Sequence, residues 1–175
     1  MISEKPLEND DLVSIIVINF NGGDYILDCM DSVFKTVNCD FEVILIDNNS
    51  TDNSSNLCKE KFDQIRLFQS DKNLGMAARN IGLDNVTGNF AVFLDADTVV
   101  KSNWLSVLLN SCKQHGPGLY QGKLLKKDNP KIIESCGDMA NVFGTGFARG
   151  RGEKDIGKFE TFQKITFPVG ACTFG

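Results

Sequence analysis

The segment Leu12-Val-Ser-Ile-Ile-Val-Ile18 is almost continuously apolar and rich in β-branched residues, and the turn sequence Asn21-Gly22-Gly23 follows it. A strand that is covered on both faces has this composition, because each of its sides packs against other elements. Similar apolar runs recur at residues 41–46, 65–69 and 90–94. Helical patterns separate these runs. The sequence therefore predicts an α/β fold whose sheet is mostly parallel, with right-handed crossovers.

Apolar residues at helical spacing mark the helices between the strands. In the first helix they are Ile26, Met30, Val33, Phe34 and Val37. A second, short helix is expected to end near Lys61, and a third to open within residues 73–80 with Ala77, Ala78 and Ile81 on its packed side. For the fourth, Ser102 is the predicted N-cap, and residues 116–118 contain the glycines and proline that stop it.

Residues 119–125 predict a fifth strand, and the pattern changes after Lys126. The segment 144–152 is rich in glycine and carries Arg149 and Arg151, which favours an antiparallel hairpin or a mobile loop over another βαβ unit. We expect one folded domain that begins at residue 12, preceded by a flexible N-terminus at residues 1–11.

Composition excludes several classes of protein. The chain has 175 residues, with 18 basic and 23 acidic side chains and a net charge of −5, which argues against a nucleic-acid-binding surface. Its six cysteines never approach C-x-x-C spacing, so we expect reduced, mostly buried thiols in a cytoplasmic protein, with a secreted disulfide protein as the alternative. The acidic N-terminus does not resemble a signal peptide, and no apolar run is long enough to span a membrane.

Polar residues follow three of the predicted strands where each strand ends. Asn19-Phe20-Asn21 follows the first strand, Asp47-Asn48-Asn49 the second, and Asp95-Ala96-Asp97 the fourth. In open α/β sheets, ligands bind outside the carboxyl ends of the strands. The three strand ends are therefore expected to converge on one pocket.

Asp95 and Asp97 are two residues apart. In an extended segment such residues project to the same side, so both carboxylates can face one divalent cation, Mn²⁺ or Mg²⁺, which also takes phosphate oxygens as ligands. The alternative is that Asp97 caps the following helix while Asp95 lies in a turn.

A glycine and an arginine mark the start of the third predicted helix. Gly75 lies where backbone N–H groups and the helix dipole favour anions, and Arg79, one turn later, can reach a phosphate or stack on a base. The alternative is a glycine needed for close packing of the helix on the sheet and an arginine on a solvated face.

Four of these segments together resemble the motifs of family 2 glycosyltransferases in order and spacing. They are VSIIVINFN at 13–21, VILIDNNSTD at 43–52, NLGMAARN at 73–80 and FLDAD at 93–97. The resemblance implies the nucleotide-diphospho-sugar transferase fold called GT-A. The tail, at residues 150–157 and 168–172, is similar to the rhamnosyltransferase-like branch of the family.

The resemblance also implies roles for individual residues. Asp47 matches the aspartate that binds the nucleobase, and Asp95 and Asp97 match the metal-binding pair, with Ala96 or Asp95 near the ribose. The residues implied to contact the donor are Ile18, Asn19, Phe20, Asp47, Asn49, Asn73, Gly75, Arg79, Asp95 and Ala96.

The implied reaction moves a sugar from a UDP- or dTDP-linked donor to an acceptor hydroxyl, with inversion. The acceptor is expected to be a glycan or a lipid-linked molecule in polysaccharide biosynthesis. Residues 12–125 correspond to the donor-binding part and residues 126–175 to the start of an incomplete acceptor-side part. The general base is expected beyond Gly175, in a longer protein that can associate with a membrane. None of His115, Asp138 and Glu153 matches it.

Other functions remain open at this point. The domain can bind a nucleotide sugar without turnover, because the segment that carries the catalytic base is absent. A nucleotidyltransferase needs a basic, glycine-rich loop after the first strand, but residues 21–24 contain no lysine or arginine. A Rossmann oxidoreductase is weaker still, because no G-x-G-x-x-G follows any strand.

Overall fold

The computed structural model describes residues 11–140, 143 and 145–175. In chain order its elements are β1 (Val13–Asn19), α1 (Gly23–Val33), β2 (Phe41–Asp47), α2 (Ser54–Lys61), β3 (Arg66–Gln69), α3 (Ala78–Leu83), β4 (Phe90–Asp95), α4 (Trp104–His115), β5 (Leu124–Leu125), β6 (Ile133–Ser135), β7 (Asp138–Ala140), β8 (Gly146–Ala148) and β9 (Cys172–Phe174). A 3₁₀ turn at Gly75–Ala77 leads into α3.

The main sheet has five strands in the order β3-β2-β1-β4-β9. The first four of these are parallel, and β9 is antiparallel to β4. This arrangement confirms the predicted α/β fold. In the register of the central strand β1, Asn19 lies opposite Asp47 of β2, and Ile18 lies opposite Asp95 of β4. The carboxyl ends of the three strands therefore lie at the same edge of the sheet.

Side chains of β1 alternate between two hydrophobic clusters, one on each face of the sheet. Ile15 and Val17 pack in the larger cluster, which also contains the apolar faces of α1 and α4. Ile16 packs in the smaller cluster, with Ala78 of α3. Full burial of an isoleucine contributes roughly 1.5–3 kcal/mol, so the continuous apolar run fixes β1 as the buried centre of the sheet.

The third helix lies very close to the sheet because of Gly82. A Cβ at this position would come within 2.3 Å of Ile16 Cγ2, a distance that real side chains do not tolerate. The packing glycine of this segment is thus Gly82. Gly75, by contrast, has open space around its would-be Cβ among the described residues and a positive φ of +55°, so it is needed for its backbone conformation.

The predicted fifth strand at residues 119–125 is wrong. Tyr120 forms an isolated bridge to Phe174 of the sheet, and β5 is limited to Leu124–Leu125, which pairs with β6. The free edge of β4 is filled instead by β9. The strand that pairs with this edge of β4 is thus formed by residues 172–174, far from β4 in the sequence.

Several helix boundaries also differ from the prediction. Val37 lies beyond the end of α1 and is exposed, because the helix ends at Val33. Ala77 lies in the 3₁₀ turn and is exposed, so it is not on the packed side. The N-cap of α4 is Asn103, while the carbonyl of Ser102 accepts the Val37 N–H at 2.9 Å.

The residues after α4 form small antiparallel units, as the hairpin prediction required. β5 pairs with β6, and β7 pairs with β8. Asp155 binds the ammonium of Lys123 at 2.7 Å, and Glu160 binds the same ammonium, which ties this region together. Apart from Asp11, whose carboxylate pairs with Lys113 at 2.5 Å, the predicted flexible segment 1–11 lies outside the described residues, as does Gly144.

All six cysteines are free thiols, which confirms the prediction of reduced cysteines. Within the described ranges, no helix has the length and apolar composition needed to cross a bilayer.

Candidate functional site

The carboxyl edge of β2, β1 and β4 brings the predicted polar residues together. Asp47 ends β2 and Asp95 ends β4, with β1 between them. Neighbouring strands are about 4.8 Å apart, so the two aspartates stand on backbones separated by about 10 Å. That width suits an extended ligand lying across the strand ends.

Asp47 is buried at this edge. Its Oδ1 accepts the N–H of Ser50 at 2.9 Å, and its backbone carbonyl accepts the N–H of Ser70 at 2.9 Å. The turn that follows places Asn49 in the left-handed region, with φ of 65°, and leaves it exposed. Asp47 is thus held in a fixed orientation by its own loop.

The side chain of Asn19 was expected to contact the nucleotide sugar, but in the structure it shapes the edge of the sheet. Its side chain is fully buried, and its amide donates both hydrogens, to Ser54 Oγ at 2.8 Å and to Ser55 Oγ at 2.7 Å. Its Oδ1 accepts the N–H of Gly22 at 3.1 Å. The amide is therefore occupied within the protein. Ile18 is partly covered by the smaller hydrophobic cluster, while the ring of Phe20 is 49% exposed.

Two further asparagines organise the edge, and the sequence placed them at the strand ends without assigning either a role. Asn21 Oδ1 accepts the N–H of Thr51 at 2.7 Å and so joins the loop after β1 to the loop after β2. Asn48 is buried, donates to Asn73 Oδ1 at 3.0 Å and accepts the Leu74 N–H at 2.8 Å. The unusual density of asparagine after β1 and β2 is the signal that could have found them.

The expectation of an anion site at Gly75 loses its structural basis. Gly75 begins a three-residue 3₁₀ turn, and α3 behind it has only six residues. The N–H of Gly75 is taken by Asn73 Oδ1 at 2.8 Å. Since that donor is already satisfied, the turn does not offer the row of free amides that binds phosphate.

Arg79 is not on a solvated face, because its guanidinium contacts neighbouring residues of the protein. Its guanidinium donates to the carbonyl of Gly170 at 3.0 Å, lies 3.6 Å from Asp95 Oδ1, and stacks 4.9 Å from the ring centroid of Phe93. The side chain is only 21% exposed. Arg79 therefore joins Asp95 to the segment that leads into β9, and its contact with a base or a phosphate stays a prediction.

The segment after β4 is a turn, so the argument from extended geometry for Asp95 and Asp97 is wrong. The N–H of Thr98 donates to the carbonyl of Asp95 at 3.0 Å. Asp97 does not cap α4 either, because that cap is Asn103. Asp97 is nevertheless exposed and the Asp95 carboxylate is half-exposed, whereas Ala96 packs against the larger hydrophobic cluster.

The surroundings of Asp95 raise its pKa. Burial raises the pKa of Asp95 above its ordinary value, the Arg79 guanidinium opposes that rise, and the Asp97 carboxylate adds to it. Asp97 makes no hydrogen bond or ion pair with another residue in the described part of the chain. A cation between the two carboxylates would relieve their repulsion.

The two carboxylates suit a cation that also binds a ligand's phosphates, and they are too few for a metal centre made of protein groups alone. Within residues 11–140, 143 and 145–175, no group of three histidine, cysteine or acidic side chains could hold a metal. Mg²⁺ and similar ions take one or two carboxylates and complete their shell with phosphate oxygens and water. Asp95 and Asp97 can supply that number of protein ligands.

The three residues that do not match the family's general base have different surroundings in the structure. His115 stacks on Phe162 with 3.8 Å between ring centroids, and Glu153 pairs with Lys158 at 2.8 Å. Asp138 Oδ1 is buried and has no hydrogen-bond partner among the described residues. The location of the general base stays a prediction.

Relatives of this chain are glycosyltransferases. Glycosyltransferase GlyA of Streptococcus pneumoniae serotype 4 is 33% identical over 102 residues, which cover 57% of this chain and 15% of that protein. GlyG of the same organism is 27% identical over 122 residues, covering 67% and 40%. An uncharacterized glycosyltransferase of Rickettsia felis is 31% identical over 167 residues, covering 81% and 27%. The chain thus spans less than half the length of these relatives.

Solved structures share the fold. Staphylococcus aureus TarS 1-349 in complex with UDP matches with a TM-score of 0.57 and 23% identity, over 66% of this chain and 38% of that one. Its complex with UDP-GlcNAc matches with a TM-score of 0.56 and 22% identity, over 66% and 37%. Residues 14–175 match the family described as Glycosyl transferase family 2. The expected fold is confirmed, and the chain belongs to glycosyl transferase family 2.

Proposed function

We propose that this domain binds a nucleoside-diphosphate sugar across the carboxyl edge of β2, β1 and β4, and that the whole protein transfers the sugar to an acceptor hydroxyl. The observation that carries the proposal is the strand register, which aligns Asp47 and Asp95 on either side of the end of β1. Family membership supports the reaction. The TarS complexes with UDP and UDP-GlcNAc support the class of donor.

The nucleoside lies at the β2 side of the edge. The Asp47 carboxylate, fixed by its loop, accepts a hydrogen bond from the base, since a uracil or thymine ring presents an N–H donor. Phe20, with its exposed ring on the neighbouring strand end, offers an apolar surface for the base or ribose. The exposed Asn49 and Asn73 lie on the two adjoining loops and supply further polar contacts.

The diphosphate lies at the β4 side. Asp97 and Asp95 would hold a divalent cation near the phosphates, and Ala96 would lie beside the ribose. When bound, the cation neutralises the negative charge that develops on the departing diphosphate. Arg79 keeps the Asp95 carboxylate in place through its contacts with Gly170 and Phe93.

The proposal also covers the donor sugar, the stereochemistry of transfer and the acceptor. The donor is UDP- or dTDP-linked, and the tail at residues 150–157 and 168–172 favours a deoxysugar of the rhamnose type. Transfer proceeds with inversion, to a glycan or lipid-linked acceptor in polysaccharide biosynthesis at the cytoplasmic side.

Thermal unfolding with nucleotides tests the proposal. A ligand that binds only the folded state stabilises it by about 2.7 kcal/mol at one hundred times its dissociation constant. We expect UDP or dTDP to raise the Tm, with a larger rise in Mn²⁺ than in EDTA, and ADP to have a smaller effect. No shift with any nucleoside diphosphate at millimolar concentration would contradict the proposal.

Asp97→Asn tests the cation site. This exposed residue has no contact that the fold requires, so the variant should keep its Tm without ligand and lose the Mn²⁺-dependent part of the shift. The matched control is Asp63→Asn, an exposed aspartate after α2. A variant that keeps the full Mn²⁺ effect would remove Asp97 from the site. Release of UDP from UDP-sugars, measured on the same protein, separates transfer from binding alone.

A further inference from the structure

A lysine from the loop after β5 lies over an aromatic ring at the start of α1. Lys127 Nζ is 4.3 Å from the ring centroid of Tyr25, whose side chain is 59% exposed. Tyr25 is two residues inside the N-terminal end of α1, which follows β1 directly. Because a helix that follows a parallel strand begins at the carboxyl edge of the sheet, this pair lies at the edge already described.

One face of α1 places the pair next to Asp95. Residues four and seven positions after Tyr25 lie on its face of the helix, and they are Cys29 and Ser32. The Cys29 Sγ is 3.8 Å from the carbonyl oxygen of Asp95, and Ser32 Oγ accepts the N–H of Val100 at 3.0 Å. The segment from Asp95 to Val100 therefore runs along this face, and Tyr25 continues the face by one turn toward the open edge.

Lys127 is a cation that the fold leaves available there. It forms no ion pair with a carboxylate in the described ranges, whereas the nearby Arg79 is engaged by Asp95 and Gly170. An aromatic ring attracts an ammonium without neutralising its charge. Tyr25 therefore holds Lys127 in position with its charge still directed to a ligand.

We propose that Lys127, positioned by Tyr25, contacts the diphosphate of the donor and supplies a protein cation opposite Asp95 and Asp97. The inference rests on the proposed function, since it requires a nucleoside diphosphate at this edge. A compact ammonium on a flexible stem suits a phosphate group, and the two carboxylates exclude an anion from this position unless cations accompany it.

Titration calorimetry of UDP, UMP and uridine, without added metal, tests the contact. Lys127→Ala should weaken UDP binding about fivefold or more, because a charge-assisted hydrogen bond to phosphate is lost. It should leave uridine binding unchanged. Lys126→Ala makes the same charge change one residue earlier and should bind UDP like the wild type. Tyr25→Leu should lie between wild type and Lys127→Ala, and Tyr25→Phe should match the wild type.

The outcomes separate this inference from the proposed function. If the wild-type protein binds neither UDP nor dTDP, the proposed function fails. If the wild type binds UDP and Lys127→Ala binds it equally well, only the role of Lys127 is overturned. An equal loss for uridine and UDP with an unchanged Tm would also overturn it, since the residue would then act on the nucleoside and not on the diphosphate.

Discussion

Replacing Arg79 with methionine removes the guanidinium but keeps an aliphatic stem over Phe93. The loss comprises a 3.0 Å hydrogen bond to the Gly170 carbonyl and a 3.6 Å ion pair with Asp95. A hydrogen bond from a charged donor contributes about 1.5–3 kcal/mol, and an ion pair with a half-exposed carboxylate about 0–1 kcal/mol. We expect Arg79→Met to lower the free energy of unfolding by about 2 kcal/mol at pH 7.

The loss of stability in Arg79→Met should depend on pH, because the Asp95 carboxyl titrates. Burial holds the pKa of this carboxyl above its ordinary value, and Arg79 opposes the rise, so the variant has a still higher pKa at Asp95. A raised pKa means that the protonated form favours folding; this stability is present below the unfolded pKa of about 3.9 and is lost as the pH rises through the folded pKa. Arg79→Met should therefore lower the free energy of unfolding more at pH 7 than at pH 4.

Urea unfolding followed by the fluorescence of Trp104, the single tryptophan, measures both effects. The double variant Arg79→Met/Asp95→Asn should recover part of the loss at pH 7, because the carboxylate that Arg79 compensates is gone. Arg79→Lys, which keeps a charge without the planar fork, is the matched control and should lose about half as much. An equal penalty at both pH values, or a double variant no more stable than Arg79→Met, would refute the reasoning.

Three other expectations follow from packing and burial. Gly82→Ala places a Cβ 2.3 Å from Ile16 Cγ2, so urea unfolding should show a loss of about 1–3 kcal/mol as α3 moves off the sheet. Asn19→Ala leaves two buried serine hydroxyls of α2 without their donor, so the same assay should show a loss of about 2–4 kcal/mol. The Cys29 thiol, whose pKa burial raises to about 12, should react with iodoacetamide at pH 8 far more slowly than the less buried Cys39, as read by mass spectrometry.

Matched variants serve as controls for these measurements. Gly122→Ala adds a Cβ that meets no described atom within 4 Å, so it should keep wild-type stability. Asn56→Ala removes an exposed amide of the same α2 region and should change stability by less than about 0.5 kcal/mol. Equal stability of Gly82→Ala and Gly122→Ala, or equal alkylation rates for the two thiols, would show that the packing described for these sites is wrong.

The buried parallel strands could be predicted from sequence because their signal is local. The apolar runs at 12–18, 41–46 and 90–94 match β1, β2 and β4 to within one residue at each end. Strand β9 could not be found in this way. It has three residues and gains its place from a partner about eighty residues earlier in the chain, so no periodic pattern marks it.

The candidate site was predictable in outline for a similar reason. Parallel strands end at one edge, so the positions of Asp47 and Asp95 followed from the order of elements. The residues that contact these two aspartates could not be predicted in this way. Asn19 and Asn21 are the same residue type two positions apart, yet only Asn19 is buried, and the reach of Arg79 to Asp95 depends on the close packing of α3.

The pairing of β9 with β4 bears on how the protein is synthesised. Until the ribosome has added Phe174, which is fully buried against Phe90, the edge of β4 has no partner and remains a template for aggregation. Asp95 depends on the same late segment, because its N–H donates to the carbonyl of Ala171 at 3.0 Å. A nascent or proteolytically shortened polypeptide that stops before Ala171 therefore lacks both the fifth strand of the sheet and the hydrogen bond to the backbone of Asp95, so one omission would expose the β4 edge and loosen a residue of the proposed donor site.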